Sequence, residues 1–372
     1  MDATVHRQSP RGAGISLAEK VKFLSHAASY GERPRAVRAI ETHMSWVFLT
    51  NKYAYKLKKP VRQSFLDFST IGARWRNCQV EVRLNRRLAP GVYRGVGPLV
   101  LRAEGTLSLG GRGRVVDWLV QMRRLRKSDT LQERIRHRRL RTVDLSAAVA
   151  ALVRFYRQVT PIAVGRAAYR GRIESEIRTS RDELMRPVWR LPTALIREIA
   201  DRQLDLVRRN PRLFDDRASG RRIVEGHGDL RPEHVYLGTQ PVFTDCLEFN
   251  RTLRIVDRAD ELAYLALECE MLGADEVGQK MVGIYARLSH DRVPDQLVHF
   301  YMSVRACMRA RLAIWHLKDP DVRQPVKWRR KALGYLRLAA RHARALSRRA
   351  DGASRAPRSA GAQSQIHRRE AA

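Results

Sequence analysis

Residues 226–260, GHGDLRPEHVYLGTQPVFTDCLEFNRTLRIVDRAD, constrain the fold more than any other stretch. Two short apolar runs, Val235–Leu237 and Val242–Thr244, flank a Gly-Thr-Gln-Pro turn and read as a β-hairpin. Strands joined by a tight turn bring their outer ends together. Asp229, ahead of the first strand, and Asp245, after the second, are therefore expected on one side of the hairpin. Two carboxylates there, with His227 and His234 nearby, suit magnesium binding and proton handling in phosphoryl transfer.

A chain of 372 residues exceeds one typical domain, so two lobes are expected, and 44% hydrophobic residues suffice for a sizeable core. Cys78, Cys246, Cys269 and Cys307 are scattered singly, which argues against a disulfide framework or structural zinc and fits a reducing cytoplasm. The first residues show no apolar leader, and no run of 18 apolar residues occurs. The expected location is cytoplasmic.

The formal net charge of +34 permits nonspecific polyanion contact. Zinc-finger spacing and an RRM-like aromatic signature are both missing, which counts against sequence-specific nucleic-acid binding.

Along the chain, residues 1–15 read as a flexible lead and Ser16–Ala28 as a helix. Trp46–Leu49 and Tyr53–Lys58 form a predicted hairpin, followed by a helix over Ala73–Leu88 and strands over Gly97–Arg102 and Arg114–Met122. Beyond Met122 the pattern is mainly helical: Leu145–Tyr156, Ile173–Leu184, Ala194–Arg208, Glu261–Leu272, Asp275–Leu288, Asp295–Leu317 and Lys327–Leu346. The expected division is an N-terminal lobe over 16–122, a helical C-terminal lobe over 123–347, and a basic tail over 348–372 too poor in large apolar groups to fold.

HGDLRPEH resembles the catalytic loop H-G-D-x-x-x-x-N of the aminoglycoside phosphotransferase-like branch of the protein-kinase-like superfamily, which is followed by a strand-borne Asp. YAYKLKKPV (53–61), FLDFST (65–70), EVRLNRRLAP (81–90) and DCLEFN (245–250) resemble, in order and spacing, a bacterial group in that branch whose substrate is unknown. The likeness runs from about residue 40 to about residue 340. It implies an α+β, two-lobed protein-kinase-like fold with a strand-rich N-lobe and a mainly helical C-lobe. The activity implied is transfer of a phosphoryl group from ATP, with GTP as second candidate, to a hydroxyl of a small molecule. Mg²⁺ would assist, with Mn²⁺ as the other candidate metal.

Site residues follow motif by motif. The period of two places Ala54, Lys56 and Lys58 on one strand face, and Ala54-x-Lys56 resembles the A-x-K of the kinase third strand. Lys56 is the expected phosphate contact, with Lys58 as runner-up. Glu81 is the only carboxylate between Ile71 and Ala103 and shares a helical face with Leu84 and Leu88, so it is the expected partner of that lysine. A glycine-rich phosphate loop is missing; in its place stands Glu41-Thr-His-Met-Ser-Trp46, whose Thr42 and Ser45 are candidate phosphate contacts. Met122, at the expected hinge, is a candidate cover for the purine.

Asp229 is expected to orient or deprotonate the acceptor hydroxyl, and Asp245 to bind metal. His227 reads as structural. His234 stands where the resembled pattern has Asn, and imidazole is a poor Mg²⁺ ligand. Three outcomes stay open: one-metal catalysis with His234 on a phosphate, altered metal preference, or loss of transfer. Glu248 is an auxiliary metal or substrate candidate, or else an ion pair with Arg251 or Arg254. Asp260 is expected to brace the catalytic loop. Arg305 and Arg309, one helical turn apart, read as an anion clamp or as a solvated basic face. The charge favours a neutral or anionic acceptor over a polycationic one. The rival readings are a catalytically silent nucleotide-binding protein and a basic nucleic-acid-associated protein.

Overall fold

The computed structural model describes residues 14–63, 66–238, 240–318 and 324–347. Most of the expected lead, the tip of the 238–241 turn at Thr239, and the whole basic tail lie outside the described residues.

The chain opens with α1 (Leu17–Leu24), β1 (Arg38–Glu41), β2 (Ser45–Leu49), β3 (Tyr53–Lys58), the short β4 (Arg62–Gln63) and β5 (Leu66–Asp67), and α2 (Ile71–Arg86). Next come β6 (Tyr93–Leu101), β7 (Leu107–Leu109) and β8 (Arg114–Arg123). α1 is shorter than expected, because Ser25 caps it and a single 3₁₀ turn, Ala27–Ser29, takes the remainder. α2 begins two residues earlier than expected, where the Thr70 hydroxyl accepts the Ala73 N–H.

β1–β3 and β6–β8 form one antiparallel sheet in the order β1-β2-β3-β8-β6-β7. Strand alternation sorts its side chains. Phe48, Leu57, Leu99, Val116 and Leu119 pack with Leu24 and Tyr30 on one face. Cys78, Val82, Tyr93 and Val120 pack on the other face, where Val242 from the later hairpin joins them. Buried Asp117 of β8 pins both flanking helices: Lys20 Nζ is 2.8 Å from Oδ2, and Arg74 donates through Nε and Nη2 at 2.8 and 3.0 Å.

The remainder is helical: α3 (Leu131–Arg136), α4 (Thr142–Gln158), α5 (Arg166–Leu184), α6 (Thr193–Arg209), α7 (Pro211–Ser219), α8 (Arg258–Glu270), α9 (Asp275–Ser289), α10 (Asp295–Trp315) and α11 (Pro325–Ala345). These share one large apolar core. Two small ribbons interrupt them: β9 (Ile223–Glu225) with β12 (Ile255–Asp257), and β10 (Val235–Tyr236) with β11 (Val242–Phe243). The predicted hairpin is therefore present, each strand one residue shorter at its C-terminal end, without Leu237 and Thr244. The β9–β12 ribbon, Ile223–Glu225 with Ile255–Asp257, was not foreseen.

Candidate active site

β3 runs through the sheet with Lys56 opposite Val47 on β2 and Val120 on β8. Its alternation turns Lys56 and Lys58 toward α2, where Glu81 is fully buried. Glu81 receives both lysines: Lys56 Nζ lies 2.9 Å from Oε1 and Lys58 Nζ 2.5 Å from Oε2. Each lysine also reaches the segment after β11. Lys56 Nζ is 3.0 Å from Asp245 Oδ1, and Lys58 Nζ is 2.7 Å from Glu248 Oε1. The result is a line of alternating charge, Asp245–Lys56–Glu81–Lys58–Glu248.

Burial opposes ionisation at every buried member, so the pairing must hold the charges in place. Burial pulls Glu81 toward the neutral form, but Lys56 and Lys58 outweigh it and its carboxyl lies below the ordinary range. Burial likewise opposes the Lys56 ammonium, yet Asp245 and Glu81 raise it well above the usual lysine value. Asp245, half exposed, is held far below the carboxylate range, first by Lys56.

Asp245 has φ +62°, a left-handed conformation that Asp and Asn tolerate better than most residues. Its N–H donates to the Tyr93 hydroxyl at 3.1 Å, and the Cys246 N–H donates to Asn85 Oδ1 at 2.9 Å. β6 and α2 thus fix the turn that carries the carboxylate.

The loop bearing Asp229 is held from beneath. The Gly228 N–H donates to Glu261 Oε1 at 2.6 Å, while the Tyr156 hydroxyl donates to Oε2 at 2.8 Å. Glu261, rather than the expected Asp260, braces the loop. Asp260 instead receives Arg305 through both oxygens at 2.7 and 2.6 Å. His227 is structural as expected: its Nε2 donates to the Thr244 carbonyl at 2.9 Å, and Nδ1 faces the Asp229 N–H at 3.3 Å. Burial, then His234, lowers its pKa to about 4.

Asp229 Oδ1 accepts the Tyr264 hydroxyl at 2.9 Å, and Oδ2 lies 3.0 Å from Arg231 Nη2. Burial works against its charge, but Arg231, then His234 and Arg309, leave its pKa below the ordinary value. His234 Nδ1 is 2.9 Å from the Asp229 carbonyl, an acceptor only, so Nδ1 carries the proton. Its Nε2 is then a lone pair, accepting from Arg231 Nη2 at 3.2 Å and facing Asp245 Oδ2 at 3.6 Å. His234 therefore stands between the two carboxylates.

Ala54 pairs with Met122 across β3 and β8, placing the methyl group beside the candidate purine cover. Thr42 and Ser45 close the β1–β2 turn. The Thr42 hydroxyl donates to the Ser45 carbonyl at 2.8 Å and accepts the Ser45 N–H at 3.0 Å. That turn achieves its tight geometry through a side-chain hydroxyl, with no glycine.

Two further expectations need correction. Glu248 binds Lys58, while Arg251 and Arg254 pair with Glu225. Arg305 and Arg309 are neither a solvated face nor a joint clamp: Arg305 is paired to Asp260, and Arg309 Nε donates to Glu268 Oε1 at 2.8 Å. Tyr93, Asn85, Arg231, Glu261 and Tyr264 position the site but escaped the sequence reading. Arg231 lies inside HGDLRPEH and Glu261 beside Asp260, so both had a signal; a lone Tyr at 264 had none.

No family model matches the chain. It is 32% identical over 293 residues to uncharacterized proteins of Mycobacterium tuberculosis and Mycobacterium bovis, covering 73% of this chain and 53% of theirs. The chain thus spans about half the length of the curated relatives it matches. Among solved structures it is similar to a choline kinase from Cryptosporidium parvum, with TM-score 0.53 and 9% identity over 88% of this chain and 96% of that one. A choline/ethanolamine kinase family protein from Mesorhizobium loti gives TM-score 0.50 and 12% identity, over 88% and 98% of the two chains. The chain therefore shares the two-lobed α+β fold of these structures, with a strand-rich first part and a mainly helical second part. Among the described residues, no helix is long and apolar enough to cross a membrane.

Proposed function

We propose that the chain transfers the γ-phosphoryl group of ATP to a hydroxyl of a small, neutral or anionic molecule. The observation that carries this reading is Lys56 Nζ, held 2.9 Å from Glu81 and 3.0 Å from Asp245. A lysine so fixed presents its charge to phosphate oxygens without losing side-chain freedom on binding.

The acceptor oxygen forms a bond to the γ-phosphorus as the bond from that phosphorus to the β–γ bridging oxygen breaks, releasing ADP. Asp229 orients the hydroxyl and takes its proton, which then passes to solvent. In the resting arrangement Arg231, then His234 and Arg309, keep the Asp229 carboxylate ionised, ready to accept that hydrogen bond.

Among the described residues no cluster of three or more His, Cys, Asp or Glu side chains forms a metal cage. The donor set still fits a nucleotide-borne Mg²⁺, which takes one or two carboxylates and completes its shell with phosphate oxygens and water. Asp245 would hold it, with His234 Nε2 as a neighbouring nitrogen donor, and the ion would neutralise phosphate charge.

A second reading, silent nucleotide binding, is favoured by Arg231, which already occupies both Asp229 and His234. Thermal-shift titration of ATP with Mg²⁺ or Mn²⁺, followed by a metabolite-pool screen for phosphate gain, separates the two. Stabilisation by metal–ATP that Asp245→Ala abolishes, together with a phosphorylated product, supports transfer. ATP binding without any product supports the silent reading, and no ATP-dependent shift overturns both.

A further inference from the structure

On α10, Arg305 and Arg309 are one turn apart; on α11, Lys331 and Tyr335 are one turn apart, and the two helices pack along their length. Arg305 spends its Nε and Nη2 on Asp260. Arg309 does not close its pair in this way. Its Nε donates to Glu268 Oε1 and lies 3.3 Å from the Tyr335 hydroxyl, and its terminal nitrogens meet no protein acceptor among the described residues. The Tyr335 hydroxyl itself donates to Glu268 Oε1 at 2.8 Å, so that carboxylate is already committed.

One turn before Tyr335, half-buried Lys331 makes no hydrogen bond or ion pair among the described residues. Its Nζ lies 5.6 Å from the centroid of the Trp328 ring. Burial, then the Arg309 charge, with Arg231 adding to it, draws this ammonium below the usual lysine range, although Glu268 and Glu233 pull the other way. Arg231 points at the same region. Its Nη1 binds Glu233 and its Nη2 binds Asp229, while its Nε is buried without a partner.

Cations from the catalytic loop, α10 and α11 therefore converge beside the base with donors unspent. Glu233 and Glu268 are each taken by an arginine, and Asp229 is reserved for the acceptor hydroxyl. A half-buried ammonium facing guanidinium groups is costly until an anion joins it. A cationic acceptor placed there would meet Lys331 and Arg309 as like charges.

We infer that the acceptor carries an oxyanion, carboxylate or phosphate, seated on Lys331 and the terminal nitrogens of Arg309, with its hydroxyl at Asp229. This assignment rests on the phosphotransferase reading and gives it a substrate class. It makes Lys331 a specificity-determining residue.

The test uses the full chain with Mg²⁺–ATP and small hydroxyl probes: glycerol, choline, 3-hydroxypropanoate and glycerol 3-phosphate. ADP formation should favour an anionic probe over glycerol and choline by about tenfold or more in kcat/KM, as one charge-assisted contact allows. Whichever anion wins tells a carboxylate acceptor from a phosphate one. Lys331→Met should raise KM for that probe by about tenfold and far more than it lowers kcat, and Lys331→Arg should recover most of the loss. Arg139→Met, the same charge change at an exposed position, should leave KM alone. Preference for choline or glycerol, or an equal response to the Lys331 and Arg139 variants, overturns the seat.

Direct binding of the same probes to the AMP-PNP-loaded chain covers the case of no turnover. An anionic probe should stabilise the wild type and not Lys331→Met. If it stabilises neither while the nucleotide still binds, the seat fails and the nucleotide reading stands. Failure of nucleotide binding would strike the phosphotransferase reading instead.

Discussion

Lys58 and Glu248 form a buried ion pair, 2.7 Å from Nζ to Oε1, that ties β3 to the segment after Asp245. Glu81 closes the pair from the other side. Both side chains of the pair are almost inaccessible, 1% and 10% exposed, so removing one partner leaves a charge that water cannot reach. Lys58→Met should therefore cost roughly 2–4 kcal/mol by denaturant unfolding, toward the lower end of a buried-pair loss because Lys56 still serves Glu81. Lys58→Met with Glu248→Leu should recover at least half of that. Strictly additive losses in the double-mutant cycle would show that the pair is not coupled.

Asp245 combines the carboxylate proposed to hold metal with φ +62°. Asp245→Asn keeps a residue that accepts this backbone and should melt within a few degrees of the parent, whereas Asp245→Val should lose about 1–3 kcal/mol more. Both should lose metal-dependent ATP stabilisation. Equal stability of Asn and Val variants would mean that the turn relaxes freely.

Gly226 sits against the bracing carboxylate: a Cβ there would lie 2.6 Å from both oxygens of Glu261. Gly226→Ala should push Glu261 off the Gly228 N–H and leave that buried donor unsatisfied. The expected cost is about 1–3 kcal/mol, with a fall in turnover larger than the loss of ATP affinity. Hydrogen exchange at Gly228 and Asp229 should quicken. An unchanged exchange rate would exclude the bracing role.

His227 and His342 both have pKa values lowered to about 4, chiefly by burial. Between that value and the ordinary histidine range, the unfolded chain binds a proton that the folded chain refuses. Each group's contribution is thus complete above the ordinary value, declines as pH falls, and is gone near pH 4. The slope is about 1.4 kcal/mol per pH unit per histidine. Urea midpoints should drop steeply from pH 6.5 toward 4.5, and His227→Asn, though less stable at pH 7, should fall less. Parallel curves for parent and variant would show that His227 does not contribute.

Replacing His234 with Asn removes the imidazole between Asp229 and Asp245 and leaves Arg231 Nη2 to Asp229 alone. The variant should favour Mg²⁺ over Mn²⁺ more than the parent does in ATP thermal shifts, because an amide oxygen is the harder donor. An unchanged metal preference would place His234 outside the metal's reach.

Sequence alone determined the parts of this protein that depend on period and order. Alternation along Tyr53–Lys58 put Ala54, Lys56 and Lys58 on one face, and helical spacing turned Glu81 inward. The turn between two short strands brought Asp229 and Asp245 to the same side. These are local rules, and they left one lysine and its runner-up undecided because both share a face.

The tertiary structure decided which charge meets which. Glu81 takes both lysines, Glu248 goes to Lys58 from 190 residues away, and Asp260 and Glu268 claim Arg305 and Arg309. In a chain with 72 Lys and Arg residues, every acid has many candidate partners. Only packing settles the choice, since it fixes which pairs lose their water together and so must satisfy one another.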